Sequence, residues 1–154
     1  VLASILLLLR RAARPNVAFL GRVRGTRAYS DMERNPDNEA VPGAVIVRVE
    51  ASLLYFNVDH VREAVWKRIG SAPEPPKLVV FDLSSSPSVD LAGARMLKAL
   101  GAALQSSGAR LRLVGARATA RDILRAEGLE ERVGAIDRRV SLDDVIQEFK
   151  QVSA

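Results

Sequence analysis

The sequence predicts an α/β domain, with a mostly parallel central sheet and helices packed around it. Three observations predict this class. Residues 78–83 (LVVFDL) form a nearly continuous apolar run, as expected of a strand covered on both faces. Behind it, Gly93, Leu97, Leu100 and Leu104 recur at the spacing of one helix face. The remaining pattern alternates strand and helix with short turns, which implies right-handed crossovers between parallel strands. With 154 residues and 48% hydrophobic side chains, the chain suffices for one core and is short for two.

The first nine residues, VLASILLLL, carry no charge and are followed by Arg10, Arg11 and Arg14. A membrane-spanning helix needs about 20 apolar residues, whereas nine cover only about 14 Å. A buried or amphipathic helix, the apolar part of a signal peptide and the last turns of a membrane span all fit this length. A signal peptide places its positive charges before the apolar run, and here they come after it. Arginines beyond an apolar stretch mark the cytoplasmic side of a membrane. Residues 1–14 therefore read as the end of a transmembrane helix with a basic juxtamembrane segment, stopped by Pro15. The initial Val1 in place of Met agrees with a piece of a longer chain.

Residues 17–23 (VAFLGRV) read as a short strand, and 24–43, rich in Gly, Pro, Asn and Asp, as a long exposed connection. Residues 44–56 (AVIVRVEASLLYF) read as one long or two broken strands. Asn57 is placed to cap a helix with the stripe Val58, Val61, Val65 and Ile69, broken by 71–76 (SAPEPP). After the apolar strand, a turn at 84–88 leads to Asp90 as the cap of the next helix, which Gly108 ends. Leu111, Leu113 and Val114 mark another strand. Thr119 and Asp122 have capping-box spacing for a third helix, and Gly128 closes it with Leu124 and Leu129 placed for a Schellman ending. Residues 136–140 read as a last short strand. Ser141 with Asp144 caps a final helix bearing Leu142, Val145, Ile146 and Phe149.

Charge and composition exclude several functions. Residues 1–34 hold seven arginines against Asp31 and Glu33, an excess equal to the whole net charge of +5. The rest of the chain balances, so a nucleic-acid-binding surface is not expected. There is no cysteine and one histidine, His60, which rules out thiolate and histidine-cluster metal sites. His60 reads as solvated or capping. No phosphate-binding GxxxxGK[ST] loop and no GxGxxG after a strand occurs. Asp82 and Asp90 are the carboxylates near the end of the central strand, with no nucleophile or electrophile to serve, so no catalysis is expected. The carboxyl ends of parallel strands are where such sheets bind ligands.

Two stretches resemble the STAS domain of SulP-family anion transporters. In that family an LGR-x-x-GT-x-x-Y-x-D segment follows the last membrane span, and Leu20, Gly21, Arg22, Gly25, Thr26, Tyr29 and Asp31 match it. Pro42, Gly43, Arg48, Leu54, Phe56 and Asn57 match the strand elements that follow, and Asp82, Ser84, Asp90, Gly93 and Leu97 match the signature D-x-S…D-x-x-G-x-x-x-L. The resemblance implies a STAS-like fold over residues 15–154, cytoplasmic and tethered by residues 1–14 to a transmembrane domain of the same polypeptide that moves sulfate or a related anion. It implies a regulatory or scaffolding role at the inner face of the cell membrane. Asp82, Ser84, Ser85, Ser86, Asp90, Leu91 and Gly93 would form the regulatory surface, and Arg10, Arg11 and Arg14 would lie next to the membrane. Family precedent offers three jobs for this surface, contact with the membrane domain, contact with a regulatory protein, or weak nucleotide binding; a homodimer is a further partner the resemblance allows, and no cofactor is otherwise implied. The alternative is a free-standing switch protein of the anti-sigma factor antagonist type. Such proteins carry a phosphorylatable hydroxyl directly after the second signature Asp, where this chain has Leu91, followed by Ala92. Arg24 also stands where the family usually has proline.

Overall fold

Strand β4 (Leu78–Asp82) runs through the middle of the molecule with all five residues buried. In the computed structural model, which describes residues 1–153, it is flanked by two parallel partners, β3 (Ala44–Val49) and β5 (Arg110–Val114). Strand β1 (Val17–Arg22) adds to β3 antiparallel, and β2 (Tyr29–Asp31) adds antiparallel to β1, giving the order β2-β1-β3-β4-β5. The sheet is thus mixed, with a parallel core. Alternation along each strand feeds two apolar layers. Val47, Val49, Val79 and Phe81 face α2 (Val58–Gly70) and α3 (Leu91–Ser106), where Val61, Val65, Leu97 and Leu100 meet them. Ile46, Leu78 and Val80 face the other way, onto Val145, Ile146 and Phe149 of α6 (Leu142–Ser153).

The helix ends follow local chemistry in most places. Asp90 caps α3, its side chain accepting from the Gly93 N–H at 2.8 Å. Helix α4 (Ala118–Ala126) closes in a Schellman ending: Leu129 N–H reaches Leu124 O at 3.1 Å and Gly128 N–H reaches Arg125 O at 2.9 Å. Ser141 and Asp144 form the reciprocal box at the start of α6, with Asp144 N–H on Ser141 Oγ at 3.1 Å and Ser141 N–H on Asp144 Oδ2 at 2.9 Å.

Five expectations are corrected. Residues 24–43 are not merely an exposed connection: they contain β2, and Tyr29 and Val41 are buried against the sheet. A three-residue strand reading YSD has no periodicity of its own; pairing with β1 creates it. The strand from Ala44 stops at Val49, and beyond it Leu53 makes a single bridge to Val89. Asn57 precedes α2 without a side-chain cap bond, because its amide is used on the preceding loop. Thr119 lies inside α4, which starts at Ala118 after an uncapped Arg117. Residues 136–140 form no strand, and a short helix α5 (Glu130–Val133) comes before them. Ile136 is held instead by side chains, its N–H on Glu130 Oε1 at 3.0 Å and its carbonyl accepting from Arg125 Nη2 at 2.7 Å.

A buried carboxylate fastens the β1–β2 hairpin to α6. Asp143, 5% exposed, accepts from the Tyr29 hydroxyl at 3.0 Å and from Arg27 Nε at 2.7 Å. Burial pushes the Asp143 carboxyl up, but the hydrogen bonds from Arg27, Tyr29 and Gln147 together outweigh it and hold it below the usual value. Burial first, then the bond to Asp143, raises the Tyr29 phenol to about 12. The signs follow by linkage. Asp143, depressed when folded, contributes stability that is present at neutral pH and lost as pH falls below about 4 through its folded value. Tyr29, raised when folded, contributes stability that is present below pH 10 and lost as pH rises from 10 toward 12. Chemical denaturation across pH is expected to show both losses. Asp143→Asn should flatten the acid limb and Tyr29→Phe the alkaline one; unchanged limbs in these variants would show that the clasp contributes nothing.

Candidate functional site

The parallel strands β3, β4 and β5 all end on one edge of the molecule, and the loops after them, 50–57, 83–90 and 115–117, meet there. Two carboxylates organise these loops from below. Asp82, 3% exposed, accepts from Arg48 Nε at 2.8 Å and Nη2 at 2.6 Å through one oxygen, and from the Ser84 N–H at 2.9 Å through the other. Gly115, at φ +73, lets the loop after β5 close over this pair; a Cβ there would stand 2.9 Å from both Asp82 Oδ1 and Ser84 N. Asp90 bridges two loops: Oδ1 accepts from Gly93 N–H at 2.8 Å and Oδ2 from Tyr55 N–H at 2.8 Å. Backbone bonds from Leu53 N–H to Ser88 O at 2.9 Å and from Asp90 N–H to Leu53 O at 3.2 Å complete the seam. Gly93 permits it, since an added Cβ would lie 2.6 Å from the Leu53 carbonyl.

The seven residues expected to form the regulatory surface separate into two groups. Asp82, Ser86 and Gly93 are buried, so they build the loops and do not present themselves to a partner. Ser86 donates to Val49 O at 3.3 Å, tying the turn to the end of β3. Ser84, Ser85 and Leu91 are exposed, and Asp90 is partly so. The outward face also contains Tyr55 and Phe56, which sequence reading placed inside a strand. They are 73% and 43% exposed, with Leu91 at 45%. Their rings meet edge to face at 5.2 Å. The turn at 50–57 puts them outside, and the match of residues 54–57 to a family element was the only signal of it. Beside them a depression of about 630 Å³ is bordered by Tyr55, Val58, Arg62, Leu91 and Arg95.

The leading helix starts from this same edge. Since β1 is antiparallel to β3, Val17 pairs with Val49 and the chain before it emerges at the carboxyl ends of the strands. Helix α1 (Leu2–Ala13) buries none of its residues against the domain. Its end is held by side chains of the loop and of α2. Asn57 Nδ2 reaches Ala12 O at 3.4 Å and Ser52 O at 2.9 Å, and His60 Nε2 lies 3.0 Å from Pro15 O. His60 is therefore a latch on the linker, half-buried rather than solvated. No helix among the described residues is long and apolar enough to cross a membrane, and no group of three or more His, Cys, Asp or Glu among them could hold a metal.

A mixed sheet wrapped by helices, with two carboxylates spent on loop architecture and an apolar outer rim, defines an α/β domain of mostly parallel core. The chain belongs to the STAS domain family, whose model matches residues 35–145. It is 29% identical over 151 residues to a probable sulfate transporter of Mycobacterium tuberculosis, covering 98% of this chain and 27% of the transporter. It is 26% identical over 144 residues to probable sulfate transporter 3.5 of Arabidopsis thaliana, covering 94% of the chain and 23% of that protein. The chain thus spans about a quarter of the length of these curated relatives. Its fold is that of part of the anion transporter SLC26A9, at a TM-score of 0.80 and 22% identity over 100% of this chain and 27% of the other. The anti-sigma factor antagonist SpoIIAA shares it at a TM-score of 0.59 and 16% identity, over 87% of this chain and 97% of the other.

The seam predicts two stability effects. Asp90→Ala removes a cap and the bond that ties the Tyr55 N–H to it, for an expected loss of about 0.5–2 kcal/mol. Gly93→Ala forces the Leu53 carbonyl away, at about 1–3 kcal/mol. Urea denaturation checks both, and losses under about 0.5 kcal/mol, the level of an ordinary surface change, would mean the seam is not under load.

Proposed function

We propose that this domain is the cytoplasmic STAS module of a SulP-type transporter of sulfate or a related anion, hanging beneath its membrane domain and regulating or assembling it. The observation that carries the proposal is the shared edge. The leading apolar helix, the arginines behind it and the exposed cluster of Tyr55, Phe56 and Leu91 all lie at the carboxyl ends of the parallel strands. In this reading α1 is the end of a membrane-spanning helix. Arg10, Arg11 and Arg14 sit at the cytoplasmic headgroups of the inner face of the cell membrane, and Asn57 and His60 fix the angle at which the domain leaves the bilayer. The rim of Tyr55, Phe56 and Leu91, with Ser84, Ser85 and Asp90 beside it, faces the membrane domain, where aromatic anchors supply most of an interface's energy.

Support comes from relatives that are named sulfate transporters and are about four times longer than the matched segment. The free-standing antagonist reading is disfavoured by Leu91, which has no hydroxyl to phosphorylate. Transport itself would belong to the membrane domain, so no residue here should lie on the transported ion's path through the bilayer.

In the longer protein, deleting residues 16–154 while keeping the membrane spans should lower sulfate uptake or dimer formation. The double variant Tyr55→Ala/Leu91→Ala should weaken docking about tenfold, as expected for losing interface anchors, while the isolated domain melts at nearly the same temperature. Full uptake and normal dimer formation in the deletion would defeat the regulatory reading.

A further inference from the structure

A second cleft, of about 550 Å³, opens at the carboxyl ends of β4 and β5 against the start of α6. It is distinct from the aromatic rim. We infer that it binds a free, doubly charged tetrahedral oxyanion, sulfate or phosphate.

Its lining brings together Arg27, Arg48 and Arg138 with the carboxylates of Asp82 and Asp143. Three guanidiniums against two carboxylates would be an ordinary surface ion-pair cluster if all were equally free, but they are not. Both oxygens of Asp82 already accept, from Arg48 and from the Ser84 N–H. Both oxygens of Asp143 accept as well, from Tyr29 and Gln147 on one side and Arg27 on the other. These two side chains are 5% and 6% exposed, so they present no free acceptor oxygen to an incoming anion. Asp144, at the border and half-exposed, is also committed, with Oδ2 to Ser141 and Oδ1 to Arg27 at 3.7 Å.

The cations keep donors in reserve. Arg48 spends Nε and Nη2 on Asp82, leaving Nη1. Arg27 spends Nε on Asp143 and Nη2 on Asp144, leaving Nη1. Arg138 makes no hydrogen bond or ion pair among the described residues, so all five of its N–H groups remain, and it is exposed. The Ser84 hydroxyl lies on the same lining and is exposed. What the cleft offers outward is therefore almost wholly donor and positive. Planar guanidinium forks match sulfate and phosphate oxygens in pairs. Arg27 and Arg48 are pre-oriented by the carboxylates behind them, so closing on an anion costs them little side-chain freedom. The volume is ample for one hydrated oxyanion and lies within the ordinary range of small-molecule sites.

Calorimetric titration of the 154-residue chain in mild detergent, with ionic strength held constant by sodium chloride, tests this. The probes are sodium sulfate, potassium phosphate and adenosine monophosphate. Saturable binding of sulfate or phosphate is expected. Arg138→Ala should weaken it by about tenfold, the loss expected for one charge-assisted contact. Arg139→Ala, which removes a side chain 83% exposed and paired with Asp137 outside the cleft lining, should change it less than about twofold. Neither side chain supports the fold, and equal melting temperatures confirm that the variants report binding. Binding of sulfate or phosphate identifies the free oxyanion; binding of the nucleotide alone would overturn the proposal. Absence of saturable binding by all three, or equal weakening in the two variants, would overturn the site.

Discussion

The carboxylate of Asp90 holds together the edge of this domain where the parallel strands end. It satisfies the N–H of Gly93 at the start of α3 and the N–H of Tyr55 in the loop after β3, two donors from segments far apart in sequence. The part-buried Gly93 N–H would be costly to leave without a partner, and because the same side chain also reaches the Tyr55 N–H, it ties the positions of both loops together. The close approach of α3 to Leu53 makes that position available only to a residue without a Cβ at 93. Leu91 and Tyr55, the outward members of the rim, owe their placement to this seam.

Beneath it, the same economy recurs. Asp82 ties Arg48 of β3 to the turn after β4, and Asp143 ties Arg27 and Tyr29 of the hairpin to α6. Each buried acid spans segments that the sheet alone would leave independent. A buried ion pair is weak support for stability in itself, since desolvation offsets much of the attraction. Its better-attested effect is specificity of arrangement. Here that arrangement leaves the arginines with outward-facing donors, and it fixes the hairpin against the last helix.

The repeating parts of the fold were legible because they obey a local period. Residues 78–83 are apolar throughout because a central parallel strand is covered on both sides. The stripes of α2 and α3 follow helical spacing, and Asp90, Gly108, Gly128 and Ser141 punctuate as their backbone chemistry requires. Misreadings fell where structure depends on a remote partner. Strand β2 exists because β1 lies beside it; Ile136 is pinned by Arg125 and Glu130 instead of a ladder. Thr119 had the spacing of a cap, yet the cap position falls at Arg117, two residues earlier, and local motifs carry no record of the packing that decides such a shift.

The sequence by itself determined the α/β class, the core strand, most helix boundaries, the concentration of arginine at the start of the chain and the family signature around Asp82 and Asp90. These are properties of nearest neighbours along the chain: periodicity, capping and charge. Only the tertiary structure decided which signature residues are scaffolding and which are surface, that Tyr55 and Phe56 point outward on the edge from which α1 departs, and that Arg27, Arg48 and Arg138 line one cleft. Burial and convergence are sums over contacts between distant segments, and a linear pattern has no term for them.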